Sequence, residues 1–223
     1  DDPEPGLYES KWWKFRIPER QDDIGLRAHV TPFQKPHPPI GVAGVSPNSP
    51  TLKMAGQLGW IPMSINLAPP VQIKTHWDSI EEGAREAGKT PDRSLWRVAR
   101  EVFIADTTAE ARRMVVEGTM ARDFSGYFLP MLGKQGRLAI FKNDPDMPDY
   151  DVTIDYLIDN IFVVGSADEV TQKLNDLNGE LGGFGTLLAM GHEWDPYNAW
   201  HESMSVLAKE VLPKVGAAIA ASG

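Results

Sequence analysis

The sequence predicts an α/β fold built from consecutive parallel βα units, and three observations carry that prediction. Four short apolar runs, near residues 39–45, 59–66, 97–105 and 184–190, alternate with stretches of helical periodicity. The runs are apolar on both faces and bounded by Pro or Gly, as strands of a parallel sheet are. Helix-start signals follow them, with Ser49 before Pro50, Thr107 or Thr108 before an Ala/Met/Val stripe, and Ser166 with Glu169 three residues on.

Taken in order, residues 1–36 combine proline, charge and the aromatics Tyr8, Trp12, Trp13 and Phe15, which reads as an arm or hairpin that docks aromatics on a neighbouring surface. Pro32, Pro36, Pro38 and Pro39 force an extended entry into Ile40–Val45, the first core strand. Ser49 caps a helix carrying Leu52, Met54, Ala55 and Leu58. Gly59–Ile65 is the second strand, although Pro62 argues against a central position. A helix from about Val71 to Ala87 ends at Gly88. Trp96–Ile104 is the third strand, and a helix with Ala111, Met114 and Val115 follows. Periodicity lapses over 119–160, where Gly126, Gly133, Gly136 and the Asn143–Asp149 segment read as an insertion. From 161 the pattern resumes with a helix carrying Val170, Leu174 and Leu177. The last strand is Phe184–Met190, and a final helix carries Met204, Leu207, Ala208, Val211 and Leu212. The implied organisation is an arm (1–36), βα units (37–118), the insertion (119–160), and a last βα unit with the C-terminal helix (161–223).

Composition narrows the function. The chain has 223 residues, 42% hydrophobic and 24% charged, which is ordinary for a globular protein. It has no cysteine, so disulfides, thiolate catalysis and Cys-based metal sites are excluded, and a reducing, cytoplasmic setting fits. A net charge of −9 argues against nucleic acid as a partner, and no apolar run is long enough for a membrane helix. Asp1-Asp2-Pro3-Glu4-Pro5 lacks the features of a signal peptide and reads as a start within a longer chain.

Two constellations carry chemistry. Gly41-Val42-Ala43-Gly44-Val45-Ser46, leading into the helix capped by Ser49, places glycines and hydroxyls beside a helix N-terminus at a strand end. That arrangement suits a phosphate, and it equally suits an ordinary βα turn. It is neither a Walker loop nor a GxGxxG fingerprint. His192-Glu193-Trp194-Asp195 directly follows the last strand, where ligands of parallel sheets sit. It suits acid–base work or a substrate wall, or Asp195-Pro196 simply caps the next helix. The zinc-protease spacing fails because position 196 is Pro, and no metal is expected. Trp60 and Trp194, near strand ends, line a pocket or fill a core. Arg97 and Arg100 point to opposite faces of their strand and suggest a structural ion pair with Glu101 or an insertion carboxylate. His76-Trp77 reads as helix packing.

Taken together these residues resemble the luciferase-like flavin monooxygenases. Pro32-Phe33-Gln34-Lys35-Pro36-His37-Pro38-Pro39-Ile40 with Val42-Ala43-Gly44, Arg97 through Thr107 with Ala109-Glu110-Ala111, and Val164 through Val170 are similar to that family's motifs in family order. Gly182 through Leu188 and His192 through Pro196 are similar to the limonene-monooxygenase-like branch. The resemblance implies a (β/α)8 TIM barrel of which this chain is the C-terminal half, strands five to eight with an insertion, needing a partner half to close. It implies reduced FMN (F420 less so) and O2, with FMN supplied by a separate NAD(P)H:flavin reductase. It places Gly44, Val45 and Ser46 at the flavin phosphate and His192 and Trp194 beside flavin or substrate; Ser49, at the helix start, joins the expected cofactor residues, and Trp60 and Met63 join those expected beside a small, apolar organic substrate. It assigns no catalytic residue, because the family's usual catalytic histidine lies on its first four strands. The completing half is a second polypeptide or a second copy. The alternatives are a non-catalytic, luciferase-like structural subunit or inactive fragment, and a barrel hydrolase using Glu193 and Asp195.

Overall fold

The computed structural model describes residues 4–26 and 32–222, so parts of the arm expected over 1–36 lie outside the described residues. The chain divides into two compact units, 1–40 and 41–223. The first contains an antiparallel hairpin of β1 (Gly6–Glu9) and β2 (Lys14–Ile17). Tyr8 and Phe15 face each other across it with stacked rings 5.5 Å apart, a favourable cross-strand pair. The Ser10 hydroxyl accepts from the backbone N–H groups of Trp12 and Trp13 and shapes the turn. Both tryptophans are about three-quarters exposed (76% and 75%).

The second unit runs β3 (Gly41–Gly44), α1 (Pro50–Leu58), β4 (Ile61–Ser64), α2 (Pro70–Glu86), β5 (Arg97–Ile104), α3 (Thr108–Glu117), α4 (Thr119–Asp123), α5 (Leu129–Lys134), α6 (Ile154–Asn160), β6 (Val163–Gly165), α7 (Ala167–Leu181), β7 (Thr186–Met190), α8 (Tyr197–Val206) and α9 (Leu212–Ser222). The caps are the ones the sequence announces. Ser49, Thr107 and Ser166 each accept from the N–H three residues on. The Ser166 capping box is only half formed. Glu169 bonds Thr108 and Lys173 instead, and the Ser166 N–H goes to Thr108 Oγ1.

All five strands are parallel, and β5 is the hub. Arg97 and Val98 pair with β4 on one edge, and Arg97–Glu101 pair with β7 on the other. Val102–Ile104 pair with β6, a strand beyond the four expected and too short to show a period. Pro62 is tolerated because β4 joins β5 only through Met63 and Ser64, after the proline has passed.

One face of the sheet carries the main core. Val98, Val102 and Ile104 of β5 meet Leu52, Ile73, Trp77, Ile80, Leu174 and Leu177 of the helices. Residues 119–160, where periodicity lapses, are nonetheless mostly helical and packed. Phe124, Leu132, Phe141 and Leu157 form a second core with Phe103, Phe162 and Trp200. Two π-helical turns, Phe124–Phe128 and Leu207–Val211, explain the weak periodicity there and in the last helix. Each ends two residues before a proline inside the continuing helix, Pro130 and Pro213. The wider turn spares the contact between the proline ring and the carbonyl four residues back. On the second face the early part of the sheet is left open. Gly41, Ala43 and Thr186 are exposed there, and Ile61, Met63 and Leu188 half-buried.

The α1–α2 crossing sets the geometry of the βα units. A Cβ on Gly56 would lie 2.2 Å from the Ile80 carbonyl oxygen, and one on Gly83 1.9 Å from that of Lys53. The two backbones touch, and nothing larger than hydrogen fits. Gly83→Ala is therefore expected to cost about 2–4 kcal/mol, read as a lowered denaturant midpoint, whereas Gly126→Ala, with open space around it, should be nearly neutral.

Candidate functional site

Parallel strands bring the segments after their C-terminal ends to one edge of the sheet, and the polar residues gather there. Glu101 lies in β5, 1% exposed, in an otherwise apolar strand. It bonds the Asn66 side chain beyond β4 through Oε1 and His192 beyond β7 through Oε2, the latter at 2.8 Å. The other ring nitrogen of His192, Nδ1, lies 2.8 Å from Asp123 of α4. Arg122 reaches Asp123 and Glu193, both at 3.1 Å, and the Thr119 hydroxyl donates to the Glu193 carbonyl. The network joins β4, β5, β7 and the insertion. Phe124 and Trp200 flank the His192 ring.

Two carboxylates on one imidazole fix its state. Burial disfavours charge on His192, but the hydrogen bonds to Glu101 and Asp123 outweigh it and raise its pKa. Burial raises Asp123, and bonds from His192 and Arg122 reverse this, so it lies below its ordinary value. The imidazolium donates from both nitrogens. With both occupied it is a charged cross-brace, not a free base.

A second histidine is held the opposite way. His76 of α2, fully buried, lies 2.9 Å from the Ser64 hydroxyl through Nδ1 and 3.0 Å from the Ser46 carbonyl through Nε2. The Ser46 carbonyl can only accept, so the proton of neutral His76 sits on Nε2 and Nδ1 accepts from the Ser64 hydroxyl, whose oxygen in turn accepts from Trp96 Nε1–H. Burial lowers its pKa to about 4, with no carboxylate to compensate. The reading of His76 as helix packing is thus too narrow, because it pins the loop after β3. The Asn48 N–H donates to Thr75 Oγ1, and Asn48 itself is left-handed at φ 51.

Of the residues the sequence singled out, Val45, Ser46 and Ser49 lie on that loop. Ser49 Oγ accepts from the Leu52 N–H. Gly44 is buried, and a Cβ there would fall 2.3 Å from Leu52, so it serves strand–helix contact. Val45 and Ser46 line a cavity of about 410 Å³ whose other wall belongs to the insertion. Met63 sits mid-strand on the open face, against Gly41. Trp194 is 40% exposed beyond β7, in ring contact with Tyr197. Trp60 is not brought to this edge. It precedes β4, and with ~3.3 Å per residue it stands roughly 20 Å from Asn66. It lines a small cleft with Lys89 and Leu95 instead. Asp195 does not cap α8, whose first turn has no side-chain cap. Among the described residues neither Arg97 nor Arg100 makes an ion pair. Arg100 is buried and donates to the Ala99 carbonyl, and burial lowers its pKa to about 10. Asn66 and Asp123 escape a sequence reading, and Glu101, expected there to pair with an arginine, pairs with His192 instead; a carboxylate inside a strand buried on both faces is the signal for such a site. Among the described residues no cluster of three or more metal-ligating side chains is placed to hold a metal ion, and no helix is long and apolar enough to cross a membrane.

The two histidines give stability opposite slopes with pH. His76 has a native pKa below its unfolded one, so stability is lost as pH falls from about 6.5 towards 4, approaching 3 kcal/mol, about. Thermal melts should show this acid loss reduced in His76→Gln. His192 has a raised native pKa, so its contribution is full below about 6.5 and lost as pH rises through the native value. Glu101→Gln should bring the His192 titration back towards its ordinary value, followed by imidazole proton NMR; an unchanged titration would mean that Glu101 does not hold the charge.

Comparison with known proteins places this geometry in context. The family profile "Luciferase-like monooxygenase" matches residues 20–183. The 3,6-diketocamphane 1,6-monooxygenase of Pseudomonas putida is 37% identical over 218 residues, 95% of this chain and 57% of that protein. Limonene 1,2-monooxygenase of Rhodococcus erythropolis is 30% identical over 83% of this chain and 45% of its own length. The solved oxygenating constituent of 3,6-diketocamphane monooxygenase from Pseudomonas putida, a type II Baeyer–Villiger monooxygenase in complex with FMN, superposes with a TM-score of 0.79 at 37% identity, covering 95% of this chain and 58% of that one. The chain therefore spans a little over half the length of the first of these relatives.

Proposed function

Since the chain belongs to the luciferase-like monooxygenase family, we propose that it is the C-terminal half of an FMN-dependent monooxygenase acting on a small, apolar cyclic ketone. The observation that supports this most is the open sheet face. Parallel sheets are covered on both faces, and here Gly41 and Ala43 lie exposed and Met63 and Leu188 half-buried on one side, left uncovered by helices among the described residues. Strands five to eight of a (β/α)8 barrel would leave that face to the barrel interior, completed by a separate half-barrel chain or a second copy.

The residues present fit an FMN phosphate. The loop Val45–Ser49 offers hydroxyls beside a helix start, is held rigid by His76 and Thr75, and opens on a cavity of ligand size. Gln72 on the same cavity has a buried Oε1 with no partner among the described residues, an acceptor suited to a hydroxyl-bearing chain. Bound FMN, reduced by a separate NAD(P)H:flavin reductase, would supply the activation of O2. The chain's own residues position and shield. Ser46 holds the anion while buried Ser49 fixes the helix start behind it, Met63 walls the interior, and Trp194 borders the substrate at the mouth. His192 keeps a proton on each nitrogen and ties the insertion to β5, which sets how far the insertion stands from the mouth.

The chain is expected to quench FMN fluorescence on binding, most tightly when joined to the half-barrel that completes it, and then to oxygenate a bicyclic ketone with a flavin reductase, NADH and O2. Flavin binding without turnover in the completed protein would favour a non-catalytic subunit. No flavin binding by the completed protein would overturn the proposal.

A further inference from the structure

The cavity of about 410 Å³ between the β3–α1 loop and the insertion has one charged residue in its lining, Arg137, and no carboxylate. Arg137 follows α5 and is exposed. Among the described residues its guanidinium makes no hydrogen bond or ion pair. The other cations nearby on the insertion are treated differently. Lys142 is paired with Asp149 at 2.6 Å, and Arg122 with Asp123 and Glu193. Lys134, one turn earlier, does not line the cavity.

The backbone around Arg137 is built to hold it there. Gly136 takes a left-handed conformation at φ 64. The Gly136 N–H donates to the Gly133 carbonyl, and the Arg137 N–H to that of Leu132 at 2.8 Å. These are the two bonds of a Schellman motif, which fixes the exit direction of the chain after a helix. Leu138 and Phe141 then bury in the second core. From the facing wall, Gln72 of α2 donates to the carbonyls of Ala139 and Lys142, both at 2.9 Å. The insertion wall is thereby bolted to the helix whose Thr75 and His76 hold the opposite wall. Both walls are fixed from α2, and the gap between them is set before any ligand arrives.

We propose that Arg137 is a binding residue for the phosphate monoester of the flavin, closing from the insertion on the anion that Ser46 and its loop hold from the other side. This rests on the proposed cofactor site and adds to it a residue outside the strand-end motifs. A guanidinium gives a dianionic phosphate two parallel N–H donors, which a serine loop alone cannot. It also gives the insertion a role in discriminating FMN from flavins that lack the phosphate.

The test compares FMN with riboflavin, which differ by that phosphate, in fluorescence titrations of the purified chain and of the chain joined to its completing half. Arg137→Ala should reduce the FMN-to-riboflavin affinity ratio by about ten- to a hundredfold, the range of a charged hydrogen bond, while leaving riboflavin affinity unchanged. Arg137→Lys should keep part of the ratio. Lys134→Ala, on the same helix end, should keep all of it, which separates a specific contact from a general loss of charge. If Arg137→Ala keeps the wild-type ratio, the inference is overturned and the cofactor site stands. If the wild type shows no preference for FMN, the cofactor site itself fails and the inference falls with it.

Discussion

Strand β5 is the constraint on which the rest depends. It alone pairs with three other strands, and every residue after Arg97 is buried. Its alternation splits the molecule. Val98, Val102 and Ile104 enter the helix-side core, while Phe103 enters the core built by residues 119–160. Its last N–H groups need partners that the sheet does not supply, and Ser203 of α8 provides one by accepting from Ile104 at 2.8 Å. A strand placed this way can carry Glu101 only if the charge is paired, and that requirement draws Asn66, His192 and Asp123 to one point.

The two buried histidines show how environment alone divides one side-chain type into two states. His192 lies between carboxylates and holds a charge. His76 lies among a hydroxyl, a carbonyl and apolar rings and stays neutral. Each then acts as a fastener suited to its state. The charged one ties together elements distant in sequence, across 69 and 91 residues, where a strong bond is needed to hold an insertion. The neutral one orients a short loop through a single tautomer, where a charge would only add a desolvation cost.

The insertion gains its order from outside itself. Its own helices are short, and one of them is interrupted by a π turn, so little of its stability is local. The aromatic contact of Phe124 with Phe162, the Gln72 bonds and the His192 brace hold it against the sheet. Ligand-binding cavities often form where such an appended segment meets a rigid sheet edge.

What the sequence determined by itself was local. Apolar runs fixed four strands to within two residues of their ends, because a parallel strand must be apolar on both faces. Ser49 and Ser166 marked helix starts and Thr107 or Thr108 a third, which the structure resolves as Thr107, because a side-chain oxygen three residues before an N–H needs no distant partner. The loop after β3 could be put forward as a candidate anion site for the same reason. What only the tertiary structure decided was everything that pairs residues far apart. Glu101 with His192, His76 with Ser46, and Arg137 across from Val45 have separations of 30 to about 90 residues, and no period or spacing announces them. Trp60 shows the converse. Being near a strand end is local information, but which end it is depends on the direction in which the assembled sheet runs, and Trp60 precedes its strand. Side-chain charge followed the same rule, since the sequence names a histidine and only its packed neighbours decide whether it holds a proton.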